Sequence, residues 1–440
     1  DEAVGMAGGL AKVMSSKKDL ETIASWGAIY DSAYSSQNAV NDDPTLNFSG
    51  YDNSFMPRVP HELHVVKEWV ERTCERSMRL NPVRCLELGC GNGMILLRVA
   101  PKTKRFIACD LSETACDYVK DIIKRPQYRF LKEDGILEVE LGGAHEAMRF
   151  AHEKLDCIIC NGVSMYFPSA AYLLEVVQTA MDALEPGGKF FLGDVRCNKV
   201  INHFHGAAQL YQAAEDMSVD ELRQKINKSV KYEKELLVDP ELFMLLPGRI
   251  PGLAAVEMDI KRGKYHSEFS MYRYDVTFIK ADGDKKFAKE TKFVDYTIEE
   301  YDAETHSMAN LTEKLTKEKP AVFAVGGMVD GRLAMCESMV CKLRDMNAMS
   351  DTCKDFLEEV MTGGAAMEPV EPEDIYVLGE SLGYRTEIFW DVDCPAKMDC
   401  VFIDDKQIPH GMRVESIGMH AARHKFETTN SGAIVLPDHL

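Results

Sequence analysis

The chain has 440 residues, 45% of them hydrophobic and 28% charged, enough for one large domain or two to three ordinary ones with a substantial buried core. Its net charge of −20 argues against nucleic acid or an anionic membrane surface as partner, while leaving room for a locally basic pocket. No apolar run reaches spanning length and no signal-peptide pattern is found, so a soluble, cytoplasmic protein is expected.

Residues 1 to about 35 carry apolar positions at helical spacing, among them Leu10, Val13, Ile23, Trp26 and Tyr30. The polar, turn-rich stretch from Ser35 to Pro60 is too long for an ordinary connector and reads as a lid or binding loop. His61 to Leu80 is predicted as an amphipathic helix. Short apolar runs then alternate with helical ones. Strands are predicted at Val83–Leu88, Phe106–Asp110, Tyr128–Leu131, Leu155–Cys160 and Phe190–Gly193, and helices at Met94–Ala100, Glu113–Ile123 and Ala171–Leu184. This alternation predicts an α/β fold, a mostly parallel sheet with helices on both faces. After a helical stretch from Asn202 to Tyr232, Val256–Arg262 and Tyr272–Phe278 read as an antiparallel hairpin at the sheet's end. A lysine-rich break at 282–292 precedes an α+β region with strands expected at Ala321–Val325, Thr386–Trp390 and Met398–Ile403. The expected division is 1–60 helical segment and lid, 61–281 core, and 282–440 α+β subdomain.

The chemistry starts at Leu86-Glu87-Leu88-Gly89-Cys90-Gly91-Asn92-Gly93. A glycine loop between a strand and a helix brings backbone N–H groups against a ligand where a Cβ would collide. The Gly89-x-Gly91-x-Gly93 spacing is tighter than the dinucleotide fingerprint and suits the amino-acid part of S-adenosylmethionine. Glu87 is then placed for the cofactor's ammonium, Asp110 for both ribose hydroxyls with Leu111 beside it, Asp134 for the adenine amine, and Asn161 at the fourth strand's end. Asp134 also reads as a turn residue before Gly135. The 13 cysteines are scattered through apolar positions, and Cys157-Ile-Ile-Cys160 lies inside a strand, so they read as small buried hydrophobes. No metal ligand set is evident.

Several stretches resemble the N-methyltransferase domains of non-ribosomal peptide synthetases and their stand-alone relatives. They are NFSGYDNSF (Asn47–Phe55), CLELGCGNGMILLRVAP (Cys85–Pro101), NGVSMYFPSAAYLLEVV (Asn161–Val177), ALEPGGKFFLGDVR (Ala183–Arg196) and KRGKYHSEFSMYRYDVTF (Lys261–Phe278). The last holds Glu268, Ser270 and Tyr272-Arg273-Tyr274, and DIYVLGESLGYRTEIFW resembles the closing segment. The resemblance covers residues 25 to 403 and implies a class I methyltransferase sheet of Rossmann type. It departs at Gly162 and Met165, and at Asp391–Lys397. Leu378-Gly379-Glu380-Ser381-Leu382 mimics a phosphopantetheine attachment site, but a helix is expected there and the serine is read as inert. No adenylation, condensation or carrier signature is found.

Methyl transfer from a sulfonium is an in-line displacement, so the protein mainly aligns the reacting atoms and excludes water. Tyr166, His205 and Asp194 are candidates for orienting or deprotonating the acceptor. Each has a structural alternative: Tyr166 as a packing aromatic, His205 as a structural histidine beside Phe204, Asp194 as the ion-pair partner of Arg196. Arg196, Glu268, Tyr272, Tyr274, Asn47 and Tyr51 are candidates for the acceptor's walls, with strand alternation placing Tyr272 and Tyr274 on one face. Arg196 or Arg273 suits a substrate carboxylate. The expected acceptor is a small or carrier-bound amino-acid derivative, most simply methylated on nitrogen. The alternatives are S-methylation of a methionine-derived thioether acid, and a non-catalytic partner that kept the fold.

Overall fold

The computed structural model describes residues 17–35, 43–48, 51, 53–283, 291–345, 351–363 and 368–421. The start of the first predicted helix, much of the lid stretch, the centre of the lysine-rich break and the last nineteen residues lie outside them.

Seven strands, β1 (Arg84–Leu88), β2 (Arg105–Asp110), β3 (Leu137–Leu141), β4 (Leu155–Asn161), β5 (Leu184–Arg196), β6 (Leu253–Ile260) and β7 (Arg273–Lys280), form one sheet. Their order is β3-β2-β1-β4-β5-β7-β6. β7 runs antiparallel between β5 and β6, and the five strands before it pair in parallel. The order reverses at β1 and β4, so their carboxyl ends open a crevice where doubly wound sheets bind ligands. This is the class I methyltransferase sheet.

The central strands are apolar almost throughout: Cys85 to Leu88 in β1 and Cys157 to Asn161 in β4 are buried, as strands covered on both faces must be. The predicted third strand is a correction. Residues Arg129–Glu133 form a short helix, and the edge strand lies one step later at Leu137-Glu-Val-Glu-Leu141. Its period-two alternation buries Leu137 and Val139 and exposes Glu138, the pattern of a strand covered on one face.

Two helices frame the crevice. α1 (Lys17–Ser35) docks through Asp31, whose Oδ1 accepts from Ser112 Oγ at 2.5 Å and from the Thr114 N–H at 3.2 Å. α2 (Leu63–Arg79) buries Val66, Trp69, Val70, Thr73 and Ser77, a 3.6-period stripe. The predicted helix from Asn202 to Tyr232 is two, α3 (Ile201–Gln212) and α4 (Val219–Lys231).

Beyond β7 a second sheet of four strands pairs β8 (Ile298–Glu300), β9 (Val322–Val329), β10 (Arg385–Trp390) and β11 (Lys397–Ile403) in the order β10-β11-β9-β8. It shares one buried cluster with the main sheet, joining Val276 and Phe278 to Phe389, Met398 and Val401. Asp259 of β6 ties the two: its Oδ1 accepts from the Ile388 N–H at 2.8 Å and the Tyr376 hydroxyl at 3.1 Å, and Arg76 of α2 pairs with its other oxygen. Ser381 ends a helix, Pro372–Ser381, with its hydroxyl turned back to Leu378 O at 2.8 Å. Among the described residues no helix is long and apolar enough to cross a membrane. All 13 cysteines are free, and Cys157 and Cys160 are buried within β4.

Candidate active site

The loop after β1 wraps a cavity of about 1080 Å³ at the sheet's switch point. Gly89 and Gly91 have φ of +77° and +47°, a left-handed backbone that costs any residue with a Cβ. A Cβ on Gly89 would also fall 2.4 Å from a Val163 methyl. Gly93, at φ +80°, turns the loop toward Leu96 and Val119 and does not line the cavity.

Around this cradle stand Glu87, Asp110, Leu111 and Asn161, each on the cavity wall. Glu87 is buried, and its Oε2 has no hydrogen-bond partner among the described residues. Burial first, then the charge of Asp110, pushes its pKa well above the usual carboxylate range. A buried acceptor with no donor is unstable unless a ligand supplies one, and an ammonium would. Asp110 ends β2 and accepts from the N–H groups of Gly91 (2.8 Å) and Ser112 (2.9 Å). Burial raises its pKa and those N–H bonds oppose the rise. Asn161 donates to Asp194 at 3.2 Å, and its Oδ1 has no hydrogen-bond partner among the described residues. Acidic strand ends, an orphaned carboxylate and a cradle that a Cβ would fill are a donor set that fits S-adenosylmethionine.

Asp134 does not join them. With its strand misplaced by one element, it caps the short helix, is exposed, and stands outside the cavity. Beyond β3, Gly142 and Ala144 line the wall instead. Helix α1 contributes aromatics: Trp26 and Tyr30 pack on Tyr166 with ring centroids 5.1 and 5.2 Å away.

A second cavity, about 1320 Å³, shares Tyr51, Gly162 and Tyr166 with the first. Tyr166, His205, Arg196, Glu268, Tyr272 and Tyr51 all line it, as does Arg273. His205 Nε2 lies 3.1 Å from Glu233, which also takes Arg196 at 3.0 Å, while Glu235 takes Arg196 at 2.5 Å. Burial opposes ionisation of Glu233, yet His205 and Arg196 hold its pKa down at about 2. Glu268 is 2.6 Å from His61. Burial works against its charge as well, but His61 and Arg273 keep its pKa below the ordinary value. Tyr51 and Tyr166 are both pushed up, mainly by burial.

Three candidates sit elsewhere. Asp194 is fully buried behind the wall of both cavities. It pairs with Lys261 at 2.8 Å and accepts from Trp69 at 2.7 Å, so its oxygens are engaged by buried neighbours, and its partner is Lys261 in place of Arg196. Tyr274 points into the core, its hydroxyl on Val238 O at 3.1 Å among Phe243, Phe389 and Trp390. Tyr272 precedes β7, so strict alternation does not relate the two. Asn47 docks the lid stretch on the glycine loop, its carbonyl accepting from Asn92 Nδ2 at 3.3 Å. His61, Trp69, Glu233 and Glu235 were not singled out in the sequence. Only their spacing on predicted helices or loops was available there, and their partners lie far away in the chain.

Residues 86–190 match the family model described as a methyltransferase domain. Together with the cradle and acidic strand ends, this shows that the chain carries a methyltransferase domain of the S-adenosylmethionine-dependent kind. Its relatives are more particular. It is 33% identical over 258 residues to chondramide synthase cmdD of Chondromyces crocatus, covering 58% of this chain and 6% of that protein. It is 35% identical over 215 residues to nonribosomal peptide synthetase kk1B of Curvularia clavata, covering 48% and 2%. The chain thus spans a small fraction of these relatives' length. Among solved structures it is similar to magnesium protoporphyrin IX methyltransferase of Synechocystis, 11% identical with a TM-score of 0.35 over 59% of this chain and 97% of that one. At that score the strand order, and not this likeness, carries the fold.

Proposed function

We propose that the chain methylates the nitrogen of an amino-acid-derived acceptor, free or held on a carrier. The observation that carries this reading is the second cavity. It meets the cofactor cavity at Tyr51, Gly162 and Tyr166, and gathers Glu233, Glu235 and Glu268 with two histidines. Carboxylates draw in an amine, and the relatives named as peptide synthetases supply the expectation of an amino-acid acceptor.

When bound, the cofactor supplies an electrophilic methyl group on its sulfonium. Glu87 would hold the ammonium, Asp110 the ribose, and the backbone of Gly89 and Gly91 the carboxylate side. The acceptor nitrogen must arrive neutral, with its lone pair facing the methyl; an α-amino group has a pKa of about 7.7–8.0, so part of it already does. As the N–C bond forms and the S–C bond breaks, the nitrogen becomes more acidic and one N–H proton leaves. His205 on Glu233, or His61 on Glu268, is the group in the pocket able to take it. Tyr166, pinned between Trp26 and Tyr30, closes the junction against water. Under this reading 1–60 is the helical segment and lid, 61–281 the catalytic core and 282–440 the α+β subdomain, whose described strands share a buried cluster with β6 and β7.

The test is transfer of a labelled methyl group to a panel of amino acids, carrier-loaded aminoacyl thioesters and thioether acids. Label on nitrogen is expected. Label on sulfur alone, or cofactor binding with no transfer to any amine, would overturn the reading.

A further inference from the structure

The second cavity contains two arginines in very different states. Arg196 is engaged: Glu233 and Glu235 hold one of its nitrogens at 3.0 and 2.5 Å, and its guanidinium lies 4.7 Å over the Phe204 ring. Arg273 is not. Its side chain is 14% exposed, and its one carboxylate within 4.0 Å among the described residues is Asp194, at 3.9 Å. That distance is beyond a hydrogen bond, and the Asp194 oxygen concerned is already served by Trp69 and Asn161. The face of Arg273 rests on Phe269 at 4.8 Å, which fixes its plane without using its N–H groups. A guanidinium carries five donors in a rigid fork. Leaving them unused in a largely buried site is costly unless a ligand takes them.

Arg273 also sits at the junction. It lines the second cavity together with Glu268 and with Tyr51 and Tyr166, which line both cavities. Glu268 and Glu235 supply negative charge within the same cavity.

The geometry points to Arg273 as the residue that grips the α-carbonyl or carboxylate oxygen of the acceptor. This rests on reading the second cavity as the acceptor pocket. An oxygen held at Arg273 leaves the α-amine two carbons away, within the cavity that Tyr51 and Tyr166 also line. Bidentate pairing fits a carboxylate, and a single N–H bond fits a thioester or amide carbonyl.

The experiment separates binding from turnover. The chain, saturated with S-adenosylhomocysteine, is titrated calorimetrically with alanine, leucine, phenylalanine and glutamate, each also as its amide, its N-acetylcysteamine thioester and its decarboxylated amine. At least one carbonyl-bearing probe is expected to bind tenfold or more tightly than its decarboxylated amine. Arg273→Met should erase that difference while leaving the affinity for S-adenosylhomocysteine unchanged. Equal binding of acid and amine by the unaltered protein, or no binding of any probe, overturns the assignment, whether or not the variant folds. If a carbonyl probe binds through Arg273 yet labelled methyl never reaches nitrogen, the anchor stands and N-methylation falls.

Discussion

Trp69 of α2 donates its indole N–H to Oδ2 of Asp194, 2.7 Å away across 125 residues of sequence. Asp194 lies near the end of β5 at φ +60° and also binds Lys261 at 2.8 Å and Asn161 at 3.2 Å. One fully buried carboxylate therefore sets the helix that backs the cavity, the β6–β7 hairpin and the asparagine on the cofactor wall. Removing it leaves two buried donors unpaired and Lys261 with Asp275 alone, at 3.0 Å. Asp194→Ala should cost about 3–5 kcal/mol, the range for breaking a buried pair from one side. Trp69→Phe should cost about 1–3 kcal/mol. In urea unfolding the double variant should lose less than the sum, because both single changes delete the same bond. Strict additivity would show that Asp194 does not organise the site.

Cofactor binding should release a proton. Burial and Asp110 raise the pKa of Glu87 in the free protein, and a bound ammonium lowers it again. Affinity should then rise with pH up to the free-state pKa of Glu87 and level off above it. Calorimetry of S-adenosylmethionine in buffers of different ionisation enthalpy reads the proton directly. Glu87→Gln, which keeps the shape and cannot ionise, should abolish this release and weaken binding tenfold or more, about 1.4 kcal/mol. A variant that still released the same proton would assign it to another group.

Gly89→Ala tests the cradle by two separable costs. The backbone at φ +77° disfavours any Cβ by about 1 kcal/mol, and that Cβ would also meet a Val163 methyl at 2.4 Å. Adding Val163→Ala removes the collision and not the strain. The pair should therefore recover part of the cofactor affinity lost by Gly89→Ala, measured by equilibrium binding, and never all of it. Full recovery would mean that the left-handed backbone is irrelevant.

These residues differ in how much of their setting the sequence exposed. Glu87, Asp110 and Asn161 could be placed because each ends an apolar strand, and a strand end has a defined position in a doubly wound sheet. The third strand failed for a local reason. Tyr128-Arg-Phe-Leu131 has the aromatic and apolar content of a strand, while Leu137-Glu-Val-Glu-Leu141 carries the cleaner alternation and was passed over. Asp134 was lost with it. Asp194 and Tyr274 were placed by strand position, but whether a side chain faces the cavity or the core depends on partners such as Trp69, Lys261 and Val238, 36 to 125 residues away. Nothing local encodes those contacts.

Glu233 should govern part of the acid limit of stability. His205 and Arg196 hold its pKa at about 2 against the opposing effect of burial, whereas an unfolded glutamate titrates near 4.3. A depressed carboxylate contributes stability that is complete above the unfolded value and is lost as pH falls toward the folded one. Glu233→Gln should thus be less stable than the parent at pH 6, with the gap closing between pH 4.5 and pH 2. Denaturant midpoints of both proteins across that window check it. A gap that stays constant would remove Glu233 from the linkage.

The packing of α1 on Tyr166 sets up a test of how the first cavity is covered. Tyr166 is held by rings from α1, Trp26 at 5.1 Å and tilted by 53°, Tyr30 at 5.2 Å and edge-on at 71°. Aromatic contacts of this geometry contribute about 0.5–1.5 kcal/mol each beyond the area they bury. All three residues line the first cavity, so α1 packs on Tyr166 and would cover a cofactor bound there. Trp26→Ala removes the cover and one face of Tyr166 together, while Trp26→Phe keeps a ring in the gap. The alanine variant should release S-adenosylmethionine faster by tenfold or more, with little change in its association rate, since most interface changes act on dissociation. The phenylalanine variant should retain most of the residence time. Stopped-flow displacement of labelled cofactor distinguishes these outcomes. An unaltered dissociation rate in Trp26→Ala would mean that α1 packs on the site without closing it, and that water is excluded by Tyr166 and the segment around Tyr51 alone.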